Sequence, residues 1–557
     1  MFPFPAEHSR DQRANVTTLA QKTAMFNTYF TQPIYAFLSS FKQNATEDDL
    51  ELLISADSRT DCPDEADEKQ YRPRKWLDGR RRISDLLPLL SHLLPSFLLQ
   101  GRPGADDELR QARPSTSSLD GLRGLAACSV MNYHILYAYQ SFVFYGYGLS
   151  SEVARSCARP EDLATLSHWW HQLPIIRLIY SGTWPISVFF VISGFVLSYS
   201  ILLEADPTSE TPATISAGKV GLRLLRRPVR LYLPPIIATM CTMIVIQLGA
   251  YEYGHHLALD TSWIPVIQEV HHQRMESFGA QMLDWLHQIW KMCRVFWWGD
   301  FFNPYDVHLW TIPAEFRCSL AVFLILPVYA NMRQAIRRVL MGVVIVYVYQ
   351  LDRWDVALFF VGLLVADTSS TSHSRTCGKH PASEEYAKCQ HMAIMAFETA
   401  CLLASLYIMS APDLCISNTP GFRLLAHLIP SSDPAPFRFL PNLGGTLLVI
   451  IITHAHIARD NGIISTFLNS RLLQYSGNVS YSLYIVHGPL IHTVGYALFP
   501  FFWTMTGTED TWRYVVGFVA AYMTLVMIIV WVADLFWRLV DRPSTRVAGK
   551  LQRIMTL

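Results

Sequence analysis

The first long apolar segment of the chain opens with Leu119-Asp120-Gly121-Leu122-Arg123-Gly124-Leu125-Ala126-Ala127-Cys128-Ser129-Val130-Met131-Asn132-Tyr133-His134. It carries an arginine near its start, Arg123, and a histidine eleven residues later, His134. On an α-helix this spacing is about three turns, so both side chains share one face about 16 Å apart. Because a bilayer core is about 30 Å thick, we expect Arg123 at one headgroup level and His134 about halfway across.

An ionisable side chain at that depth is costly to desolvate, and its default interpretation is a functional residue. We therefore predict that His134 takes part in chemistry, with Arg123 on the same helix face. The alternative is a packed histidine that hydrogen-bonds a neighbouring helix.

The composition indicates a membrane protein. The chain has 557 residues, of which 51% are hydrophobic and 16% are charged, and its mean hydropathy is +0.20. These values predict an all-α polytopic membrane protein embedded in a lipid bilayer. The formal net charge is zero, so nothing suggests a nucleic-acid partner. We predict about ten transmembrane helices in one bundle, near residues 122–144, 184–204, 229–250, 312–330, 337–351, 354–368, 391–410, 438–457, 476–502 and 513–537.

The distribution of charge predicts the orientation in the membrane. With an even number of spans both termini share a side, and the connections on that side are basic. The opposite connection 251–308 holds three basic residues against seven acidic ones. The positive-inside rule therefore assigns both termini to the cytosol, in an endomembrane or the plasma membrane. The basic residues that support this assignment are Lys219, Arg223, Arg226, Arg227, Arg230, Arg333, Arg337, Arg338, Arg459 and Arg471.

The chain divides into three parts. Residues 1–117 are predicted to form a cytosolic N-terminal arm that is partly disordered. Within it, a basic flank and a proline-broken apolar stretch predict a helix lying in the membrane interface at 84–100, or alternatively a helix buried beneath the bundle. Residues 118–545 form the transmembrane domain, and residues 546–557 form a short cytosolic tail.

Histidine and cysteine spacing does not favour a metal site or a disulfide framework. His255-His256 and His271-His272 lie in the connection 251–308. Adjacent side chains point apart, and no acidic residue or cysteine completes a known ligand spacing, so we predict no metal. The 10 cysteines include no CxxC pair, and we expect them to be small buried hydrophobes.

Charged residues also enter two later spans. Glu315 follows Pro313 at the start of a span, where it is either a site residue or a carboxylate that favours the helix dipole. Arg226, Arg227 and Arg230 begin the third span. They can be topology determinants, but Arg227 and Arg230 share a face, and forked guanidinium groups suit phosphates.

The ninth predicted span carries a polar stripe. Ser480, Tyr484 and His487 recur at helical spacing, so they share one face that is expected to point into the bundle. Arginines for a diphosphate, a histidine that can act as a general base, and an orienting carboxylate are the parts that acyl transfer from coenzyme A to a hydroxyl requires.

The segment 119–134 resembles the opening signature of the acyltransferase-3 family of integral-membrane acyltransferases, in which ten residues separate an arginine from a histidine. Four further stretches are similar to family motifs and occur in the same order, namely Trp184–Phe195, Arg226–Tyr232, Leu309–Phe316 and Val479–Pro489. The resemblance covers about 118–545. The sequence at 309–317 is similar to that of fungal members, which often acylate secondary metabolites.

The resemblance implies transfer of an acyl group, often acetyl, from acyl-CoA to a hydroxyl on a carbohydrate or small molecule, with acyl-CoA as co-substrate and no permanently bound cofactor. It implies that His134, Glu315 and Arg123 form the catalytic set and that Arg227 and Arg230, with Arg226, lie on the acyl-CoA side. We expect His134 to deprotonate the acceptor and Glu315 to orient the imidazole or the acceptor; an acyl-histidine intermediate is a second route. The predicted substrate pocket consists of Ser193, Trp310, Tyr481, Tyr484 and His487.

Two other classes of function compete with this interpretation. A multi-pass transporter could use the same intramembrane His, Arg and Glu as a proton or substrate relay. However, the halves of the chain show no repeat and no paired broken helices. A non-catalytic membrane scaffold is the third possibility, and the Arg–His–Glu set disfavours it.

Overall fold

The computed structural model describes residues 95–96, 117–163, 168–204, 217–260, 263–299, 301–376, 384–458 and 462–556. All of them belong to one compact unit, Arg82–Leu557. The predicted N-terminal arm and the interfacial helix at 84–100 lie outside the described residues, apart from Pro95, Ser96 and Ser117. Ser96 donates its hydroxyl to Oδ1 of Asp534 at 2.5 Å.

The regular secondary structure of the described residues is entirely helical. The longer helices are α1 (Ser117–Leu136), α2 (Thr183–Glu204), α3 (Ala217–Gln247), α4 (Phe278–Met292), α5 (Thr311–Ala330), α6 (Gln334–Gln350), α7 (Trp354–Thr376), α8 (Glu384–Met409), α9 (Pro436–Ala458), α10 (Arg471–Leu490), α11 (Tyr496–Thr506), α12 (Thr511–Phe536) and α13 (Arg542–Thr556). Shorter helices and turns are Ser141–Phe144, Ser151–Ala154, Pro160–Asp162, Trp170–Gln172, Ile176–Tyr180, Glu252–Leu259, Val307–Trp310, Ile416–Asn418, Arg423–Ala426, Ile463–Leu468, Ile491–Gly495 and Trp537–Asp541.

The predicted all-α membrane fold is confirmed, whereas the number of about ten transmembrane helices stays a prediction. A helix occupies each of the predicted spans, and six helical segments of the described chain are long and apolar enough to cross a membrane. These segments are Thr183–Glu204, Val220–Gln247, Val307–Ala330, Pro436–His454, Arg471–Thr506 and Thr511–Met555. The first predicted span differs in its end, because α1 stops at Leu136. His134 therefore lies in the last turn of α1 and not at its middle.

Helices α1 and α10 run in the same direction and pack closely. Near their starts, a Cβ on Gly124 would lie 2.5 Å from the backbone nitrogen of Gly477, and a Cβ on Gly477 would collide with the Asp120 carbonyl. Only glycine permits this close backbone approach. We call the end of the bundle where α1 starts the Arg123 end, and the other end the His134 end.

A second glycine contact joins α2 and α7. Side chains at Gly194 and Gly362 would collide with the backbone of the partner helix. Around this crossing, buried residues of α2, α5, α7 and α9 form one hydrophobic cluster. A second cluster joins α1, α3, α10, α11 and α12.

A disulfide cross-links the connections at the His134 end. Cys157, between α1 and α2, bonds to Cys415, between α8 and α9, across a sequence separation of 258 residues. The expectation that the cysteines are small buried hydrophobes is therefore wrong for this pair. Their spacing carries no local signal, because the fold alone brings the two connections together.

Candidate functional site

Glu315 forms the centre of a polar group nearer the Arg123 end. It lies in the second turn of α5, and its Oε1 accepts hydrogen bonds from Nη2 of Arg227 at 2.6 Å and from the Ser193 hydroxyl at 3.2 Å. The guanidinium of Arg227 also donates through Nε to the Ser319 hydroxyl at 3.1 Å. Helices α2, α3 and α5 thus meet around one ion pair.

Further charges adjoin this ion pair. The charges of Arg227, Arg123, Asp541 and Glu315 all act on Arg230, which places three arginines in one electrostatic group. Arg226 is different: its Nε donates to the side chain of Gln552 on α13, and the contact is exposed. The fold therefore brings together Arg123, Arg227 and Arg230 and directs Arg226 elsewhere.

His134 belongs to a second polar group at the other end of α1. Its Nδ1 lies 2.9 Å from Nε2 of His308, and the two ring centroids are 3.9 Å apart. The Nδ1 of His308 lies 3.0 Å from Oδ1 of Asp306, which also accepts the backbone N–H of His308. His487 on α10 completes a group of imidazoles, with ring centroids 4.6 Å from His308 and 5.3 Å from His134.

Glu269 lies in the segment between α3 and α4 and contacts these imidazoles. Its Oε1 lies 2.8 Å from Nε2 of His308 and 3.8 Å from Nδ1 of His134. Its Oε2 lies 2.7 Å from Nε2 of His492, and the Tyr137 hydroxyl donates to Oε1. Burial alone would raise the pKa of Glu269, but the charge of His308 and the hydrogen bonds from His308 and His492 hold that pKa well below its usual value.

Accessibility differs within this group. The side chain of His134 is 20% exposed, whereas those of His308 and Glu269 are 4% and 8% exposed, and His487 is fully buried. His134 is therefore the member that a substrate can reach first.

Tyr481, Tyr484 and His487 form a row along α10 that connects the two groups, and we call this row the α10 stripe. Tyr481 donates to the carbonyl of Leu231 on α3 at 2.6 Å, and the charges of Glu315 and Arg227 act on it. One turn later, the Tyr484 hydroxyl lies 2.7 Å from that of Thr311 and donates to the carbonyl of His308. His487 then reaches the imidazole group. The distance along α10 from Tyr481 to His487 is about 9 Å.

The remaining predicted pocket residues lie beside these groups. Ser193 contacts Glu315 directly. Trp310 is half-buried and ends the turn Val307–Trp310 that precedes α5. The guanidinium of Arg438 lies 6.0 Å from its ring centroid.

The carboxylates next to His134 are not the one expected from the sequence. The hydrogen bonds of Glu315 go to Arg227 and Ser193, whereas Glu269 and Asp306 contact the imidazole group. Sequence reasoning missed His308, Asp306 and Glu269 because all three lie in the long connection before α5. His308 could have been predicted as a site residue, since it directly precedes the family-like stretch 309–317. No feature of the sequence around Glu269 indicates that it is a site residue.

The arrangement has the parts for a group-transfer reaction. Arginines near one end can bind an anion, and imidazoles with carboxylates at the other can accept and return a proton. Tyr481 and Tyr484 on α10 lie between them, and each donates its hydroxyl proton to a backbone carbonyl.

Comparison with known proteins also indicates a group-transfer enzyme. The profile of the acyltransferase-3 family, described as an acyltransferase domain, matches residues 116–534. The chain is 26% identical over 502 residues to O-acetyltransferase PaAT-1 of Phomopsis amygdali, covering 86% of this chain and 93% of the relative. It is 25% identical over 472 residues to Acyltransferase R4 of a Phoma species, covering 80% of this chain and 97% of the relative.

A third relative, Acyltransferase clz18 of Cochliobolus lunatus, is 24% identical over 465 residues, covering 79% of this chain and 97% of the relative. No solved structure matches the chain. Because the family profile covers most of the chain in a single match, the protein belongs to the acyltransferase-3 family of membrane acyltransferases.

Proposed function

We propose that the protein moves an acyl group, normally acetyl, from acyl-CoA to a hydroxyl of a small-molecule acceptor such as a secondary metabolite, or of a carbohydrate. The observation that carries this proposal is the alignment of two polar groups along α10. The charges of Arg227 and Glu315 act on Tyr481, and the imidazoles of His308 and His134 lie beside His487.

The arginine group is suited to the donor. Acyl-CoA carries several phosphates, and guanidinium groups bind phosphate oxygens through two parallel hydrogen bonds. Arg227 and Arg230 are proposed to hold the diphosphate, with Arg123 nearby. The thioester arm then runs along the α10 stripe toward His134.

The imidazole group is suited to the acceptor. The acceptor oxygen attacks the thioester carbonyl, so a C–O bond forms and the C–S bond breaks. The hydroxyl proton passes through the group that contains His134 and reaches the leaving sulfur, which yields an ester and free coenzyme A. Tyr484 and Tyr481 line the path, and a hydroxyl that releases its bond to the carbonyl of His308 or Leu231 would stabilise the oxyanion.

The name of one relative supports acetyl as the transferred group. The relative from Phomopsis amygdali is named an O-acetyltransferase, while the other two are named acyltransferases without a stated group. Acetyl-CoA is therefore the first donor to test.

The disulfide supports the proposed orientation. Disulfides persist in the lumen or outside the cell and are rare in the cytosol, and Cys157–Cys415 lies at the His134 end. The His134 end is accordingly proposed to face away from the cytosol, and both termini face the cytosol, in agreement with the positive-inside rule.

The test compares microsomes that contain the wild-type chain, His134→Ala or His454→Ala, each supplied with radiolabelled acetyl-CoA and candidate hydroxyl acceptors. Loss of a proton-handling group lowers transfer by about 10²–10⁴-fold, so His134→Ala should transfer almost no label. His454 is exposed on α9, and its replacement should leave transfer unchanged.

Folding is controlled by size-exclusion elution and by coenzyme A binding in detergent. His134→Ala should elute and bind coenzyme A like the wild type. Normal label transfer by a folded His134→Ala protein would refute the proposal.

A further inference from the structure

The imidazole group has the composition of a metal site. His134 comes from α1, His308 from the turn before α5, and His487 from α10. One ligand nitrogen from each of the three rings lies within 4.8 Å of the other two. The three histidines could not be recognised as a ligand set from a short sequence motif, because they are separated by 174 and 179 residues.

The outer hydrogen bonds of two rings direct their lone pairs inward. His308 donates Nδ1–H to the Asp306 carboxylate, so its Nε2 faces His134 and Glu269. His487 donates Nδ1–H to the carbonyl of Leu483 at 3.2 Å. Its Nε2 is then the acceptor nitrogen, and this atom is buried without a hydrogen-bond partner among the described residues.

A buried lone pair without a partner is costly. A proton shared between His308 and Glu269 would satisfy that pair and leave Nε2 of His487 unpaired. A cation coordinated by all the converging atoms would satisfy every one of them. Zn²⁺ lies about 2.0–2.1 Å from imidazole nitrogens and is normally four-coordinate.

We propose that His134, His308, His487 and Glu269 bind a divalent transition-metal ion of the zinc type. A set rich in imidazole favours zinc, copper, iron or nickel over magnesium or calcium, which prefer oxygen ligands. With neutral imidazoles, the charge of a divalent ion is balanced by the carboxylates of Glu269 and Asp306.

The proposed ligands are themselves held by hydrogen bonds to neighbouring groups, as the ligands of metal sites usually are. Histidine ligands usually donate their other nitrogen to a carboxylate or a backbone carbonyl, which fixes the ring orientation; Asp306 and Leu483 accept these bonds here. Glu269 is held in turn by His492 and Tyr137. Gly488 of α10 packs against the Asp306–His308 pair, where a Cβ would lie 2.5 Å from Nδ1 of His308.

The catalytic role of the ion rests on the proposed function. As a Lewis acid it would take the acceptor oxygen as a fifth ligand beside His134 and lower the pKa of the acceptor hydroxyl, which makes that oxygen a stronger nucleophile. The acceptor hydroxyl loses its proton as the C–O bond forms, and the leaving thiolate takes up one proton from solvent, so the overall reaction is unchanged.

The first test uses the full chain purified in detergent, stripped with a chelator and titrated with Co²⁺. We expect uptake of one equivalent, with the visible absorption of a nitrogen-rich four-coordinate site, and displacement by Zn²⁺. A folded, stripped protein that takes up neither Co²⁺ nor Zn²⁺ would overturn the inference.

The second test uses His487→Ala, which removes a nitrogen that hydrogen-bonds to no group among the described residues. Loss of an outer partner alone weakens metal binding about 10–100-fold, so loss of this ligand should weaken Co²⁺ binding by at least about 100-fold. Asp306→Asn should weaken it about 10–100-fold, and His454→Ala should bind as the wild type does. Wild-type Co²⁺ affinity in a folded His487→Ala protein would contradict the proposed ligand set.

Label transfer separates this inference from the proposed function. Full transfer by the metal-free protein would overturn the catalytic role of the metal and leave the acyltransferase assignment intact. One equivalent of bound metal in a protein that transfers no acyl group to any acceptor would support the site and contradict the proposed function.

Discussion

Asp306 accepts two hydrogen bonds from His308, one from its backbone N–H and one from its Nδ1. This pairing fixes the ring and its tautomer before any ligand arrives, so the cost of ordering is met during folding. His134 is held less rigidly, since its side chain keeps 20% of its surface exposed. The group thus combines a rigid, buried core with one accessible member.

Arg227 has both a structural role and a proposed binding role. Its side chain, which forms an ion pair with Glu315, is only 15% exposed. Breaking such a buried pair leaves an uncompensated charge. The same guanidinium is our proposed phosphate ligand. Its replacement should therefore affect both folding stability and donor binding.

Arg227→Gln should raise the KM for acyl-CoA by at least about tenfold, because a hydrogen bond between charged groups is worth about 1.5–3 kcal/mol. Arg226→Gln is the matched control, and its KM should change little because Arg226 contacts Gln552 on an exposed surface. The measurement is the rate of label transfer against acyl-CoA concentration.

The double variant Arg227→Gln/Glu315→Gln separates folding from binding. It removes the unpaired carboxylate and should recover thermal stability while the KM stays high. Equal KM values for Arg227→Gln and Arg226→Gln would contradict the assignment of Arg227 to the donor.

Among the helices, α10 has the largest role in the site. Its start packs on α1 through Gly477, its middle carries Tyr481 and Tyr484, and its end supplies His487. Since α1 and α10 run in the same direction, His134 of α1 lies beside His487 near the end of α10. Arg123 lies next to Gly124, which packs against the start of α10. The glycines of the stretch 119–134 are thus explained by helix packing, while its arginine and histidine belong to the site.

The connections at the His134 end provide a test of orientation. Pro430 is exposed in the connection between α8 and α9 and is followed by Ser431 and Ser432. Pro430→Asn therefore creates an N-glycosylation acceptor. If this end faces the lumen, the variant should gain one endoglycosidase-sensitive increase in mass in microsomes.

The wild-type chain is the control for this experiment. It carries acceptor sequences at Asn15, Asn44 and Asn478, of which Asn15 and Asn44 lie in the arm predicted to be cytosolic and Asn478 lies near the start of α10. Its mass should not change on endoglycosidase treatment. Glycosylation of the wild type but no additional shift for Pro430→Asn would reverse the proposed orientation.

On the scale of the whole molecule, the bundle could largely be predicted, because long apolar runs are a local property of the sequence. The polar groups could be predicted only in part. Arg227 and His487 carried a signal because charge and imidazole are rare inside spans. Glu269 lies in a connection, and its partner His492 is 223 residues away, so only the tertiary structure reveals its place.

For the whole molecule, the central claim is that acyl-CoA lies along α10 between the two polar groups. A cryo-EM structure of the purified chain with coenzyme A tests it most directly. We predict density for the diphosphate at Arg227 and Arg230 and for the thiol near His134. Ordered coenzyme A elsewhere on the chain, with its thiol pointing away from His134, would contradict the claim.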